Sequence, residues 1–139
     1  MSDSNPNLSL TGVIPHITIR DNRAVEAIDF YARAFGATEV ARSPEKNGER
    51  LMHAHLSING GTLLLHDDFP EMTGGKASPP PAGIVLHLQV RDADAVWERA
   101  LAAGAAVRFP LADQFWGDRY GQLTDPFGHV WSVAGPKKG

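Results

Sequence analysis

Pro15-His16-Ile17-Thr18-Ile19-Arg20-Asp21 and Leu86-His87-Leu88-Gln89-Val90-Arg91-Asp92 follow one pattern twice: a histidine, alternating apolar residues, then Arg-Asp. Each is followed by a helical stretch closing on Gly-Ala, at Gly36-Ala37 and Gly104-Ala105. The copies stand 71 residues apart at His16/His87 and 68 apart at Gly36/Gly104. Each then returns through two strands joined by a glycine turn, Asn59-Gly60 and Phe127-Gly128. Self-similarity at a fixed spacing marks a structural unit that cannot bury its hydrophobic face alone. The expected fold class is therefore α+β, two βαβββ modules forming a concave sheet.

In the first copy Ile17 and Ile19 alternate with His16, Thr18 and Arg20, the period of a half-buried strand. Asp21 is the expected N-cap of the helix that follows. Ala24, Ile28, Tyr31 and Phe35 recur at helical spacing and can cover the Ile17/Ile19 face. Gly36 is placed where a left-handed C-cap is needed. Strands are then expected at 39–42, 51–58 and 62–66, with His53, His55, Leu64 and His66 on the open face. The second copy repeats this with Asp92 as cap, an apolar stripe at Val96, Ala100 and Leu101, and strands at 106–109, 121–124 and 129–134. Trp131 and Val133 point inward there, and Ser132 and Ala134 lie on the open face.

A tail is expected at 1–12, one domain at 13–134 with modules of about 13–66 and 84–134, and a tail at 135–139. The stretch 67–83, carrying Gly74-Gly75 and Pro79-Pro80-Pro81, is either a linker or a lid. Residues 111–120 read as a loop in which Phe115 and Trp116 suggest a pocket wall or a dimer contact.

A 139-residue chain suits one sizeable core. Thirteen Lys and Arg against 16 Asp and Glu, interspersed, leave a net charge of -3 and no basic stripe, which argues against a nucleic-acid partner. The absence of cysteine removes disulfides, thiolate metal sites and a cysteine nucleophile together. No stretch has the length and apolarity of a membrane span, and the first dozen residues do not resemble a signal peptide. The expected location is the cytoplasm.

The paired modules, the helix 27–37 ending Phe-Gly-Ala, and the turn Asp125-Pro126-Phe127-Gly128-His129 resemble the vicinal oxygen chelate superfamily. That group comprises glyoxalase I, bleomycin-resistance proteins, fosfomycin-modifying enzymes and extradiol dioxygenases. Met52-His53-Ala54-His55 and the stretch 113–121 are similar to its PhnB-like branch. The resemblance implies the glyoxalase/bleomycin-resistance/dioxygenase-type fold and a homodimer, with Phe109, Phe115 and Trp116 as candidate contacts.

In metal-dependent relatives four open-facing residues bind a divalent ion and polarise vicinal substrate oxygens. The resemblance carries the first-strand ligands onto His16 and His87. Counting four residues from each turn glycine, the other two positions fall on Leu64 and Ser132, where carboxylates are usual. Leucine has no donor, and a serine hydroxyl is a poor ligand for Zn²⁺ or Ni²⁺. The expected cavity is lined by His16, Thr18, His55, Leu64, His66, His87, Gln89, Phe115, Trp116 and Ser132. Such a lining suits a small organic molecule. Its neutral and basic character does not suit the cationic cargo of bleomycin-type sequestration. The primary expectation is a small-molecule-binding protein with no cofactor. The alternative is a lyase, isomerase or dioxygenase dependent on Zn, Ni, Mn or Fe, with His55 or His66 completing the ligand set. Whether the chain is an enzyme stays open on the sequence.

Overall fold

The computed structural model describes residues 10–138. Its elements run β1 (His16–Ile19), α1 (Ala24–Phe35), β2 (Thr38–Pro44), β3 (Leu51–Ile58), β4 (Gly61–Asp67), β5 (Val85–Gln89), α2 (Ala93–Ala103), β6 (Ala106–Asp113), β7 (Asp118–Thr124) and β8 (Val130–Pro136). These are two βαβββ repeats. Each builds a four-stranded mixed sheet, in the order β1-β4-β3-β2 and β5-β8-β7-β6. The first strand of each repeat pairs in parallel with the last, and the remaining pairs are antiparallel. The described chain forms two compact units, one of residues 10–29 with 37–78, the other of 30–36 with 79–138.

The first unit buries Ile19, Leu56, Leu63 and Leu65 of its sheet, together with Ala24, Ala27 and Ile28 in the opening turns of α1. Asn59 and Gly60 take positive φ angles of 49° and 77° in the two-residue turn between β3 and β4, as such hairpins require. Asp21 is not the helix cap. Asp21 and Asn22 both adopt positive φ, 64° and 58°, so the chain turns before the helix begins. The Ala24 N–H donates instead to Asp67 Oδ1 at 2.9 Å, and Asp67 Oδ2 accepts from Leu51 N–H at 2.7 Å. A buried carboxylate from the end of β4 thus replaces the local cap, where the helix dipole favours negative charge.

The second unit takes the rest of α1. Tyr31 and Phe35 do not extend the cover over Ile17 and Ile19; they pack against Trp131, with ring centroids 5.3 and 4.7 Å away. The phenol needs an acceptor when buried, and Tyr31 O–H donates to Asp125 Oδ2 at 2.6 Å. Here the local cap is present: Asp92 accepts from Ala95 N–H at 3.1 Å. Trp97, outside the expected apolar stripe of α2, is buried with Ala93 and Ala100. It sits over Gly121, where a Cβ would come within 2.7 Å of Trp97 and of the Leu111 backbone. Only glycine permits that approach.

Several strands exceed their expected lengths. β6 and β7 extend to Asp113 and back to Asp118, so 111–120 is a hairpin rather than a loop, with Phe115 and Trp116 at its tip. β8 continues through Gly135 and Pro136, into the stretch expected as a tail. Of the expected tail 1–12, residues 1–9 lie outside the described residues, as does residue 139.

Part of the 67–83 stretch folds back on the first unit. Asp68 closes the loop to Ser78, accepting from its N–H at 2.7 Å and its Oγ–H at 2.8 Å. Arg50 holds Glu71 at 2.6 Å and lies 4.2 Å over the Phe69 ring.

Candidate functional site

Strand register decides which side chains share the open face of each sheet, and both sheets use the same register. In the first, His16 stands opposite Leu64, and Leu64 opposite His55. In the second, His87 stands opposite Ser132, and Ser132 opposite Gln122. One pleat further along, Thr18 faces His66 in the first sheet, while Gln89, Ala134 and Tyr120 align in the second.

The open face of the first sheet carries a histidine cluster. The His16 ring meets His66 edge-on at 4.9 Å and His53 at 6.0 Å. His66 Nδ1–H donates to the Asp67 carbonyl at 2.6 Å, and its Nε2 pairs with the Thr18 hydroxyl at 3.3 Å. Desolvation first, and then neighbouring imidazoles, push His16 and His53 below the ordinary histidine pKa of 6.5. His55 is only 6% exposed, and its Nδ1 is buried without a hydrogen-bond partner. His53, on the expected open face but outside the expected cavity lining, lies beside His16 in this cluster.

A pocket of about 310 Å³ opens at the end of this face, lined by Thr18, Met52, His66, Asp68, Phe69, Met72, Thr73 and Ser78. Five of those eight residues, Asp68, Phe69, Met72, Thr73 and Ser78, come from the folded-back loop, so the stretch left open between linker and lid supplies a wall. A smaller pocket of about 200 Å³ shares Asp68 and Ser78 with it and adds Arg20, Asp21 and Asn22. None of the loop residues was among the expected site residues. Their spacing carries no strand or helix period, so only the Asp68–Ser78 closure reveals them.

The second sheet presents a hydrogen-bonded row. Gln89 Oε1 can only accept, so the 2.8 Å contact from His87 Nε2 places the proton there. The other ring nitrogen, Nδ1, pairs with the Ser132 hydroxyl at 2.6 Å. Ser132 is 1% exposed, covered despite facing the open side. Beside it Gln122 donates to the Tyr120 hydroxyl at 2.9 Å and accepts from Arg108. The Tyr120 ring lies near-parallel to His87, at 6.2 Å and 20°, and meets Trp116 edge-on at 5.6 Å. Phe115 is 95% exposed and contacts Trp116 alone among the described rings. Tyr120 and Gln122 complete this face; they alternate on a strand expected to begin at Gly121, one residue too late to include Tyr120.

The donor chemistry does not fit the four-ligand metal centre that the fold implies. Leu64 offers no donor, and the buried Ser132 hydroxyl is bonded to His87 Nδ1. Among the described residues no group of three or more His, Cys, Asp or Glu side chains is arranged to hold a metal ion. Among them, too, no helix is long and apolar enough to cross a membrane.

Comparison with known proteins agrees with this architecture. A protein of Mycobacterium bovis, Mb0911c, itself uncharacterized, is 50% identical over 126 residues, covering 88% of this chain and 81% of the relative. The crystal structure of PA1353 from Pseudomonas aeruginosa superimposes with a TM-score of 0.75 at 27% identity, covering 93% of this chain and all of that one. A glyoxalase-related enzyme from Fulvimarina pelagi gives 0.68 at 26% identity, covering 89% of this chain and 88% of its own. The family model of the Glyoxalase/Bleomycin resistance protein/Dioxygenase superfamily matches residues 13–133. Two βαβββ repeats with one shared register and a match across nearly the whole chain make this protein a member of that superfamily.

Proposed function

We propose that this chain is a small-molecule-binding member of its superfamily, of the PhnB-like kind, that works without the four-ligand metal centre. The observation that carries this reading is Leu64, which stands opposite His16 at a position the resemblance assigns to a ligand and has no donor atom. Its counterpart Ser132 is 1% exposed, with its hydroxyl bonded to His87 Nδ1. What remains on both open faces is imidazole, amide, hydroxyl and aromatic surface. That mixture fixes an organic ligand by a few polar contacts within an apolar lining.

Superfamily members typically dimerise and bind small molecules. We extend that to a cytoplasmic homodimer, with the exposed Phe109, Phe115 and Trp116 as contact residues. Elemental analysis of untagged protein tests the central reading: Zn, Ni, Mn and Fe together should come to well below one equivalent per chain. A stoichiometric metal lost on His16→Ala would overturn it in favour of a metal-dependent lyase, isomerase or dioxygenase, with histidines of the His16 cluster as ligands.

A further inference from the structure

Arg20, like His55, keeps a buried ring or guanidinium nitrogen that the packing of the first unit leaves unpartnered. It follows β1 on the open-face side, and its Nε is buried without a hydrogen-bond partner. Buried polar atoms in native proteins are nearly always satisfied, so an unpartnered one marks a place for a water, an ion or a ligand group. Other arginines of the described chain show the contrast: Arg50 holds Glu45 and Glu71, and Arg119 holds Asp94 and Asp113. Arg20 instead lines the pocket of about 200 Å³ with Asp21, Asn22, Asp68, Pro70, Ala77 and Ser78.

The charges of that lining are mixed, one guanidinium against two carboxylates. A simple anion would meet Arg20 but be repelled by Asp21 and Asp68, and a simple cation would meet those carboxylates but be repelled by Arg20. A ligand carrying both charges on adjacent atoms satisfies both. Asp68 is held ready for the cationic end, since the Ser78 N–H and Oγ–H fix both its oxygens, and these bonds lower its pKa. The adjoining pocket of about 310 Å³ shares Asp68 and Ser78 and supplies an apolar wall of Met52, Phe69 and Met72. Methionine thioethers adapt to varied apolar shapes.

We propose that these joined pockets bind an α-amino acid with an apolar side chain. Its carboxylate takes the Arg20 guanidinium as a charge-assisted pair, its ammonium group lies among Asp21 and Asp68, and its side chain lies against Met52, Phe69 and Met72. The proposal rests on the small-molecule-binding reading and names the ligand class for the first unit.

The test is a titration of ¹⁵N-labelled full chain followed by amide shifts, using three probes. L-phenylalanine carries both charges, N-acetyl-L-phenylalanine lacks the ammonium, and L-phenylalaninamide lacks the carboxylate. The expected result is binding of L-phenylalanine at least tenfold tighter than either analogue, with shifts confined to residues 18–22, 52 and 66–78. Arg20→Gln should weaken L-phenylalanine at least tenfold and leave the amide unchanged. Equal or tighter binding of the acetylated probe would reduce the site to a plain anion pocket and overturn the proposal. So would shifts elsewhere, or no binding by any probe. The probe comparison uses unaltered protein and does not depend on how the variant folds. Failure here with little bound metal leaves the binding-protein reading standing, whereas stoichiometric metal defeats that reading whatever the probes do.

Discussion

Tyr31→Phe tests the junction of α1 with the second sheet. The Tyr31 hydroxyl donates to Asp125 Oδ2 at 2.6 Å in a buried setting. Asp125 also accepts from Trp131 Nε1–H on the same oxygen and from the Phe127 and His129 N–H groups on the other, each at 2.9 Å. A hydrogen bond to a charged group is worth about 1.5–3 kcal/mol. Because Oδ2 keeps the Trp131 donor, removing the phenol oxygen should destabilise by about 2 kcal/mol. Asp125→Ala strands all four donors and should cost at least about 4 kcal/mol, a large share of a typical domain's roughly 5–15 kcal/mol.

The pair also has a pH signature. Burial, and then the Asp125 charge and hydrogen bond, raise the Tyr31 pKa well above its ordinary 10.0. A raised folded-state pKa gives stability that is complete below the unfolded value and lost as pH rises beyond it. Wild-type stability should therefore fall above pH 10 more steeply than that of Tyr31→Phe. Urea melts followed by far-UV circular dichroism at pH 8 and pH 10.5 measure both effects. A Tyr31→Phe variant within about 0.5 kcal/mol of wild type at pH 8, with the same decline at high pH, would refute the reasoning.

The lowered pKa values of His16 and His53 have the opposite sense. Their neutral forms are favoured by the fold, so this stability is complete above pH 6.5 and lost as pH falls. Imidazole proton shifts should show both rings titrating below 6.5, and His66→Ala should move His16 upward. Asp67→Ala strands the N–H groups of Ala24 and Leu51, at about 1–3 kcal/mol each, and should lower the urea midpoint accordingly. Gly36 holds φ at 73°, and a methyl added there would have only Arg99 Nη1 nearby, at 3.6 Å. Gly36→Ala should therefore cost about 1–2 kcal/mol from backbone strain alone, again read from urea melts. Sedimentation at micromolar concentration should show a dimer that Trp116→Asp weakens, and monomer alone for wild type would defeat the proposed assembly.

The repeat, the order of its elements and the inner face of each strand were legible in the sequence, because they depend on periods of two and of three to four residues. The Asn59-Gly60 turn, the Asp92 cap and the glycines ending both helices were legible for the same reason: each acts on backbone within a few residues of itself. The open-face positions of His16, His87, Leu64 and Ser132 followed from counting along strands.

What tertiary structure decided lies between residues far apart in the chain. Asp67 caps a helix 43 residues before it, and Tyr31 meets Asp125 across 94. No local pattern distinguishes the first carboxylate from Asp21, which the chain turns away, or assigns half of α1 to the second sheet. The His16–His53–His66 cluster, the Ser132–His87–Gln89 bonds and the stranded Arg20 Nε likewise arise only when register sets distant strands side by side. Periodicity says which face a side chain occupies; its partner on that face depends on strand order, twist and the return of the 67–78 loop, which are properties of the assembled chain.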